Sequence, residues 1–306
     1  MKTKDKLVTV VLPVYNGMPF LPETVDSILA QTLKDFRLLV IDDGSTDDSA
    51  NYLETVKDSR VVVIHQENRG QGAALNRAIN LCETKYIARI DSDDVMAPTR
   101  LEEQLKYMEQ HEDVVILGTQ VAFIAGGRIV RAPRVPIAHK DIYARMMMGS
   151  SGVGHSCLML RTQAVRVVRG YRIDRTGQEI DFCLRLCEVG RAANLDRVLH
   201  YYRIHENSDA LNKQDELRCA YAYGIACAKC RRQSLDEPKF EDFAQSWDGR
   251  NKLNKILNKI DDWSIWQYRR SILDKGHGRI LRSVARLFCA AAMRPRYSMK
   301  KLLNKW

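Results

Sequence analysis

The sequence predicts an α/β fold in which a mainly parallel sheet is covered by helices on both faces and followed by a wholly helical, basic C-terminal region. Three observations predict it. Short β-branched runs alternate with amphipathic helical runs from the first residues onward. Carboxylates gather where the strand patterns end, at Asp42, Asp43, Asp91 and Asp93. From about Ser208 strand patterns cease and long helical runs replace them.

The elements follow in order. "VTVVLPVY" (Val8–Tyr15) reads as a buried strand, because an unbroken apolar run this short fits a strand covered on both faces. "PETVDSILAQTL" (Pro22–Leu33) has proline in the first turn of a helical pattern. "FRLLVIDD" (Phe36–Asp43) is the next strand, and "STDDSANYLETV" opens on a capping residue and continues as helix. "VVVIHQ" (Val61–Gln66) and "YIARID" are strands, each followed by a helix, "GAALNRAINLC" and "PTRLEEQLKYMEQH". "VVILGTQVAFI" and "RIV" flank Gly126-Gly127, a hairpin signal. Strands separated by helices imply parallel pairing, and such sheets bind ligands beyond the carboxyl ends of their strands. The acidic residues therefore collect on the ligand-binding side.

The chain has 306 residues and a formal charge of +10. That length exceeds a typical single core of about 100–200 residues, so we divide it at 1–208 and 209–306. No signal peptide is visible, and no apolar run is long enough for a transmembrane helix, so a cytoplasmic location is expected. The eight cysteines lie mostly in apolar patterns, as buried thiols in a reducing compartment do. "CAKC" (Cys227 to Cys230) lacks a second ligand pair at zinc spacing, which argues against a metal or redox role.

Residues two apart in a strand share a face, so Asp91 and Asp93 project together with Ser92 opposite. Paired carboxylates repel unless something positive joins them. A hard divalent cation does so, since Mg²⁺ or Mn²⁺ takes one or two carboxylates and completes its shell with phosphates and water. A lone D-x-D is more often a cap or a solvated loop, and Asp94 is expected to cap the following helix.

This D-x-D is not alone. "VTVVLPVYNG", "LVIDDGSTDDS", "ENRGQGAALNRAI" and "ARIDSDDVMAP" occur in that order, followed by "GQEIDFCLRLCEVG" and "YYRIHENS". Over roughly residues 7 to 208 the sequence resembles the inverting family 2 glycosyltransferases of the GT-A fold, of the bacterial polysaccharide and lipopolysaccharide type. The resemblance implies transfer of a hexose or N-acetylhexosamine from a nucleotide-diphosphate sugar to a hydroxyl of a glycan or lipid-linked acceptor, with Mn²⁺ or Mg²⁺. UDP is the favoured nucleotide, with GDP or dTDP as alternatives. Pro13 and Tyr15 would border the base, and Asp42 or Asp43 would hydrogen-bond it. Asn68, Arg69 and Gly70 match the next nucleotide-contacting loop. Asp91, beside Ser92, would contact the ribose or a metal-bound water, and Asp93 would bind the metal.

Transfer also needs a base for the attacking hydroxyl. Aligning "QEIDFCLRL" on the family's E-D-x-D-L-x-x-R-L places Glu179 where the family has an aspartate base, with Gln178 before it and Asp181 as the fallback. His155, in "GVGHSCLML", matches an acceptor-side position. His205, in "YRIH", would approach the metal or diphosphate, and Arg203 would pair with the diphosphate or with a carboxylate.

The segment Lys275–Trp306 contains nine Lys or Arg and no Asp or Glu. Charge alone would suit nucleic acid, but no nucleic-acid motif accompanies it and aromatics are not interleaved for stacking. Its "RILRSVARLFCAAAM" run suits peripheral attachment to the anionic inner face of a membrane, with homo-oligomerisation as the competing reading. Two rival functions remain. A sugar-phosphate nucleotidyltransferase would want a basic, glycine-rich loop after the first strand, where this chain has "PVYNGMPFLPE". A catalytically silent nucleotide-sugar-binding partner would be consistent with the Glu179 departure.

Overall fold

A computed structural model of the chain describes residues 6–172, 177–205, 214–248 and 252–293. β1 (Val8–Val14) lies between β2 (Phe36–Asp42) and β4 (Tyr86–Arg89), parallel to both, and β3 (Val61–His65) continues the parallel set beyond β2. Every residue of β1 is buried, as its unbroken apolar run requires. The parallel pairs are joined through α1 (Leu21–Leu29), α2 (Ser49–Thr55) and α3 (Gln71–Leu81). α1 places Leu21, Val25 and Ile28 inward and stops short of the expected Leu33.

Past β4 the sheet changes character. β8 (Met159–Arg161) runs antiparallel to both β4 and β6 (Val114–Ala125), and β9 (Arg191–Arg203) is parallel to β6. The short β5 (Val95–Met96) pairs antiparallel with β9, giving the order β3-β2-β1-β4-β8-β6-β9-β5. β7 (Arg128–Arg131) returns along β6 through Gly126-Gly127, both at positive φ, so the expected hairpin is present. Sequence periodicity did not announce β5, β8 or β9. β9 breaks the period of two because Asp196, Arg197 and Val198 loop outward where its register with β6 shifts.

Two apolar layers sandwich the sheet. Val8, Val10, Leu12, Leu38 and Val40 pack under α1, α2 and α4 (Arg100–Gln110). Val11, Leu39, Ile41 and Ile87 pack under α3, α6 (Thr162–Val167) and α7 (Glu179–Val189). α5 (His139–Met147) adds Ile142 and Met146 to this second layer.

The C-terminal region is helical as expected: α8 (Gln214–Arg232), α9 (Phe240–Asp248), α10 (Lys252–Gly276) and α11 (Ile280–Ala292), with Pro238 between α8 and α9. It does not hang free of the sheet. α8 packs on α7, and Ile272 and Leu273 of α10 form a third cluster with Ala125, Val130 and Ile204. No described helix is long and apolar enough to cross a membrane, and all eight cysteines are free thiols.

Candidate active site

The carboxyl ends of β1, β2 and β4 lie together at one edge of the sheet, where the candidate cleft is. Pro13 is held inside β1 opposite Ile41, while Tyr15, just past the strand, exposes its ring. Asp42 and Asp43 are both buried, and both already have work within the protein. Asp42 accepts from the Ser45 amide at 3.1 Å and lies 2.8 Å from Nδ1 of His65, which that carboxylate holds at a raised pKa. Asp43 accepts from Gln66 Nε2 (2.6 Å) and from the Arg69 and Gly70 amides (2.9 and 2.8 Å). Asp43 therefore fixes the exposed loop carrying Asn68, Arg69 and Gly70, which brings these sequence-predicted residues together as one edge of the cleft.

At the end of β4, Asp91 and Asp93 keep 23% and 28% of their side-chain surface exposed. Asp91 binds the buried guanidinium of Arg89 at 2.7 Å and accepts from Gln71 Nε2 at 3.0 Å. Desolvation pushes the Asp91 carboxyl above its usual range and Arg89 opposes that shift, while Asp93 adds to it. Asp93 Oδ2 stands 3.0 Å from His205 Nε2, so these two predicted metal residues do meet. The Asp93 carbonyl accepts from Arg203 Nε at 2.7 Å, and the Ser92 carbonyl accepts from Thr24 on α1 at 2.9 Å. Arg203 is paired with Glu23 at 2.5 Å and lies over the Phe20 ring, so of its two predicted roles the structure shows the carboxylate pairing.

Asp94 is not the helix cap expected from sequence. Thr99 occupies the position before α4, and Asp94 is fully buried, tying the acidic turn to β9. It accepts from the Arg203 amide at 2.9 Å and lies 2.8 Å from His200 Nε2. Arg100, also fully buried, stands 3.1 Å from His200 Nδ1. A guanidinium can only donate, so Nδ1 is the acceptor and Nε2 carries the proton toward Asp94. Burial pushes Asp94 up to about 7, with Asp91 adding repulsion, and holds His200 well below its ordinary value. This chain of buried groups makes a seat under the two half-buried acids.

The other wall comes from α7. Glu179 opens the helix, where the dipole favours a carboxylate. The preceding Gln178 packs so tightly on Gly72 that a Cβ there would meet its amide at 2.2 Å. Gly72 adjoins Gln71, the ligand of Asp91, so Glu179 borders the acidic turn. Its Oε1 accepts from the hydroxyl of the half-buried Tyr221 of α8, whose own proton is held more tightly because of desolvation and that carboxylate. Tyr171 feels both Glu179 and Asp91, and burial raises its pKa. His155 Nε2 lies 2.8 Å from the Tyr171 hydroxyl, and burial keeps its imidazole neutral. Asp181 turns away from this group. It accepts from Arg185 at 2.9 Å, with Arg172 at 3.5 Å and Arg231 at 3.8 Å, beneath Gly224 of α8. The fallback base is thus an internal ion-pair anchor.

Sequence reasoning missed Arg89, Gln71 and Tyr221. Arg89 had a signal, since it precedes Asp91 by two, the spacing that puts side chains on one side of an extended chain. Tyr221 had none, because its contact joins segments 42 residues apart.

Among the described residues no three His, Cys, Asp or Glu side chains form a ready metal cage. Asp93 and His205, 3.0 Å apart, could offer an oxygen and a nitrogen ligand. That donor set fits a hard cation completing its shell with phosphates and water.

Residues 9–169 match the model of the glycosyl transferase family 2. EpsE of Bacillus subtilis is 32% identical over 250 residues, covering 74% of this chain and 83% of the relative. The O-antigen biosynthesis glycosyltransferase WbnJ of Escherichia coli is 31% identical over 221 residues, covering 70% and 86%. Some relatives are longer: the chain spans 30% of the Escherichia coli chondroitin synthase, at 29% identity. Among solved structures, residues 1–349 of S. aureus TarS in complex with UDP-GlcNAc superpose with a TM-score of 0.62 at 15% identity, over 95% of this chain and 91% of that one. The mannosyltransferase PcManGT of Pyrobaculum calidifontis, in complex with GDP-Man and Mn²⁺, gives 0.53 at 14% identity, over 95% and 88%. The fold is therefore the GT-A fold, and the chain, with its acidic turn at the sheet's carboxyl edge, belongs to glycosyltransferase family 2.

Proposed function

We propose that this transferase moves a sugar, with inversion, from a nucleotide-diphosphate donor to a hydroxyl of a glycan or lipid-linked acceptor in surface polysaccharide synthesis. The observation that carries the reading is the pairing of Asp93 with His205 beyond the carboxyl end of β4, in a chain whose Glu179 opens α7. Names among the relatives support the pathway: the O-antigen enzyme WbnJ, and WfaP of Escherichia coli, named for glucosyl transfer to a diphosphoundecaprenol-linked sugar. The donor is a uridine nucleotide in preference to GDP or dTDP, in keeping with the UDP-GlcNAc complex of TarS.

Tyr15 and the Asn68–Gly70 loop border the base. Asp42 and Asp43 hold that edge from behind, and Asp91 with Ser92 faces the ribose. Asp93 and His205 would hold Mn²⁺ or Mg²⁺. Such a cation supplies neutralisation of the charge that builds on the departing diphosphate. Glu179, half-buried and fixed by Tyr221, takes the proton of the attacking hydroxyl, and His155 with Tyr171 shapes the acceptor side. The resulting C–O bond forms on the face opposite the leaving phosphate oxygen, which inverts the anomeric centre. The enzyme works in the cytoplasm, peripherally at the inner face of the cell membrane.

Glu179→Gln tests the assignment, because it removes the base and keeps the size. Transfer measured by radiolabelled product should fall by about 10²–10⁴-fold while donor affinity stays within twofold or so. Transfer near the wild-type rate would remove Glu179 from the mechanism.

A further inference from the structure

We propose that the outward face of α11 docks onto an anionic lipid bilayer. This rests on the reading above, of transfer at a membrane surface, and adds the part of the molecule that reaches it. In a water-soluble helical hairpin the apolar stripe of each helix faces its neighbour. α11 is turned the other way. Ser283 and Ala290 are buried against α10, and Ser264 Oγ donates to the Ala290 carbonyl at 2.7 Å. Arg286 also points inward, donating to Asp274 at 2.7 Å and to Gln267 at 2.8 Å, with its guanidinium over the Trp266 ring. The polar face of the helix is thus satisfied inside the hairpin.

Ile280, Leu281, Val284, Leu287 and Phe288 occupy a single stripe, at i, i+1, i+4, i+7 and i+8. All five are exposed, Leu281 at 88% and Phe288 at 76%. Contiguous exposed apolar side chains on this scale mark a surface that something covers. Charge says what. The segment Lys275–Trp306 carries nine Lys or Arg and no acid, and Arg279 and Arg282 lie on α11 or at its start. Anionic headgroups attract such a segment while its apolar side chains enter the acyl boundary. A second copy of the chain would instead oppose two positively charged segments.

The test is co-sedimentation of the full chain with vesicles of phosphatidylcholine alone or mixed with phosphatidylglycerol. Wild-type protein should bind the mixed vesicles, less as salt is raised. The double variant Leu281→Ser/Phe288→Ser should lose at least about tenfold in partition. Both positions are exposed, so the melting temperature should hold. Arg279→Glu/Arg282→Glu should weaken binding to the mixed vesicles alone. Equal partition of wild type and the serine variant would overturn the proposal. So would a wild-type dimer that the serine variant dissolves, without vesicle binding by either, since a second copy would then cover the face. Donor titration of the same proteins separates this from the enzymatic reading: donor binding without vesicle binding sinks only the docking surface, and vesicle binding without donor binding sinks only the transferase site.

Discussion

In the sheet, Val8 to Val14 are buried in one unbroken run, and acidic groups appear where the strands end. In the α10–α11 hairpin, Ser264, Gln267, Ser271, Asp274 and Ser283 are buried, while Leu281 and Phe288 lie in water. The first arrangement is the ordinary hydrophobic one. The second holds because its buried polar groups find partners across the hairpin, as Arg286 finds Asp274 and Gln267. The difference teaches where polarity carries information. In the sheet, an acid at a strand end marks the candidate site. In the helical hairpin, the apolar residues left outside mark the proposed docking surface.

The sheet also buries polar groups, and removing the one that bridges Asp94 and Arg100, His200 on β9, should have the largest effect on stability. His200→Ala would leave the buried Asp94 carboxylate and the Arg100 guanidinium without their shared partner. Taking away a neutral imidazole that hydrogen-bonds two buried groups costs on the order of 1–3 kcal/mol for each group left short of a partner, read as a shift of the urea midpoint. A loss below about 1 kcal/mol would mean that the acidic turn is seated some other way.

A smaller effect sharpens how the two halves are joined. Glu237, between α8 and α9, binds Arg172 at 2.7 Å and Arg231 at 2.7 Å. Burial would raise its pKa, but the two guanidinium groups outweigh it and hold it at about 2. A carboxyl with a depressed folded pKa contributes stability above its unfolded pKa of about 4.5 and loses it as pH falls toward 2. Thermal stability should therefore decline over that acid window, by roughly 1–3 kcal/mol from this group. In Glu237→Gln that part of the decline should vanish. An unchanged acid profile in the variant would show that the junction does not depend on this cluster.

Much of this was legible in the sequence. The parallel half was readable because its strands are buried on both faces and its turns carry distinct residues, as with Gly126-Gly127. The candidate site was readable because its acids cluster just past a strand pattern, although Asp91 and Asp93 lie in the turn after β4 and not on the strand face expected for them, and because Glu179 opens a helix. The antiparallel strands were not, since β5 and β8 are too short for a period and β9 is interrupted by its outward loop at Asp196 to Val198. Asp94 looked like its neighbours in sequence. Only the fold shows that it pairs with His200 and the Arg203 amide, more than a hundred residues away. Tyr221 was hidden for the same reason, and it ties the helical region to Glu179.

The central claim is that Asp93, seated on this network, holds the cation that receives a donor diphosphate. Calorimetric titration of a panel of nucleotide sugars, with and without Mn²⁺ or Mg²⁺, tests it on wild-type and Asp93→Ala protein. The account predicts that one donor binds in the presence of metal and that this binding falls by at least about tenfold in the variant, with the fold intact. Absence of binding by any donor to folded wild-type protein, or metal-dependent binding undiminished in Asp93→Ala, would contradict it.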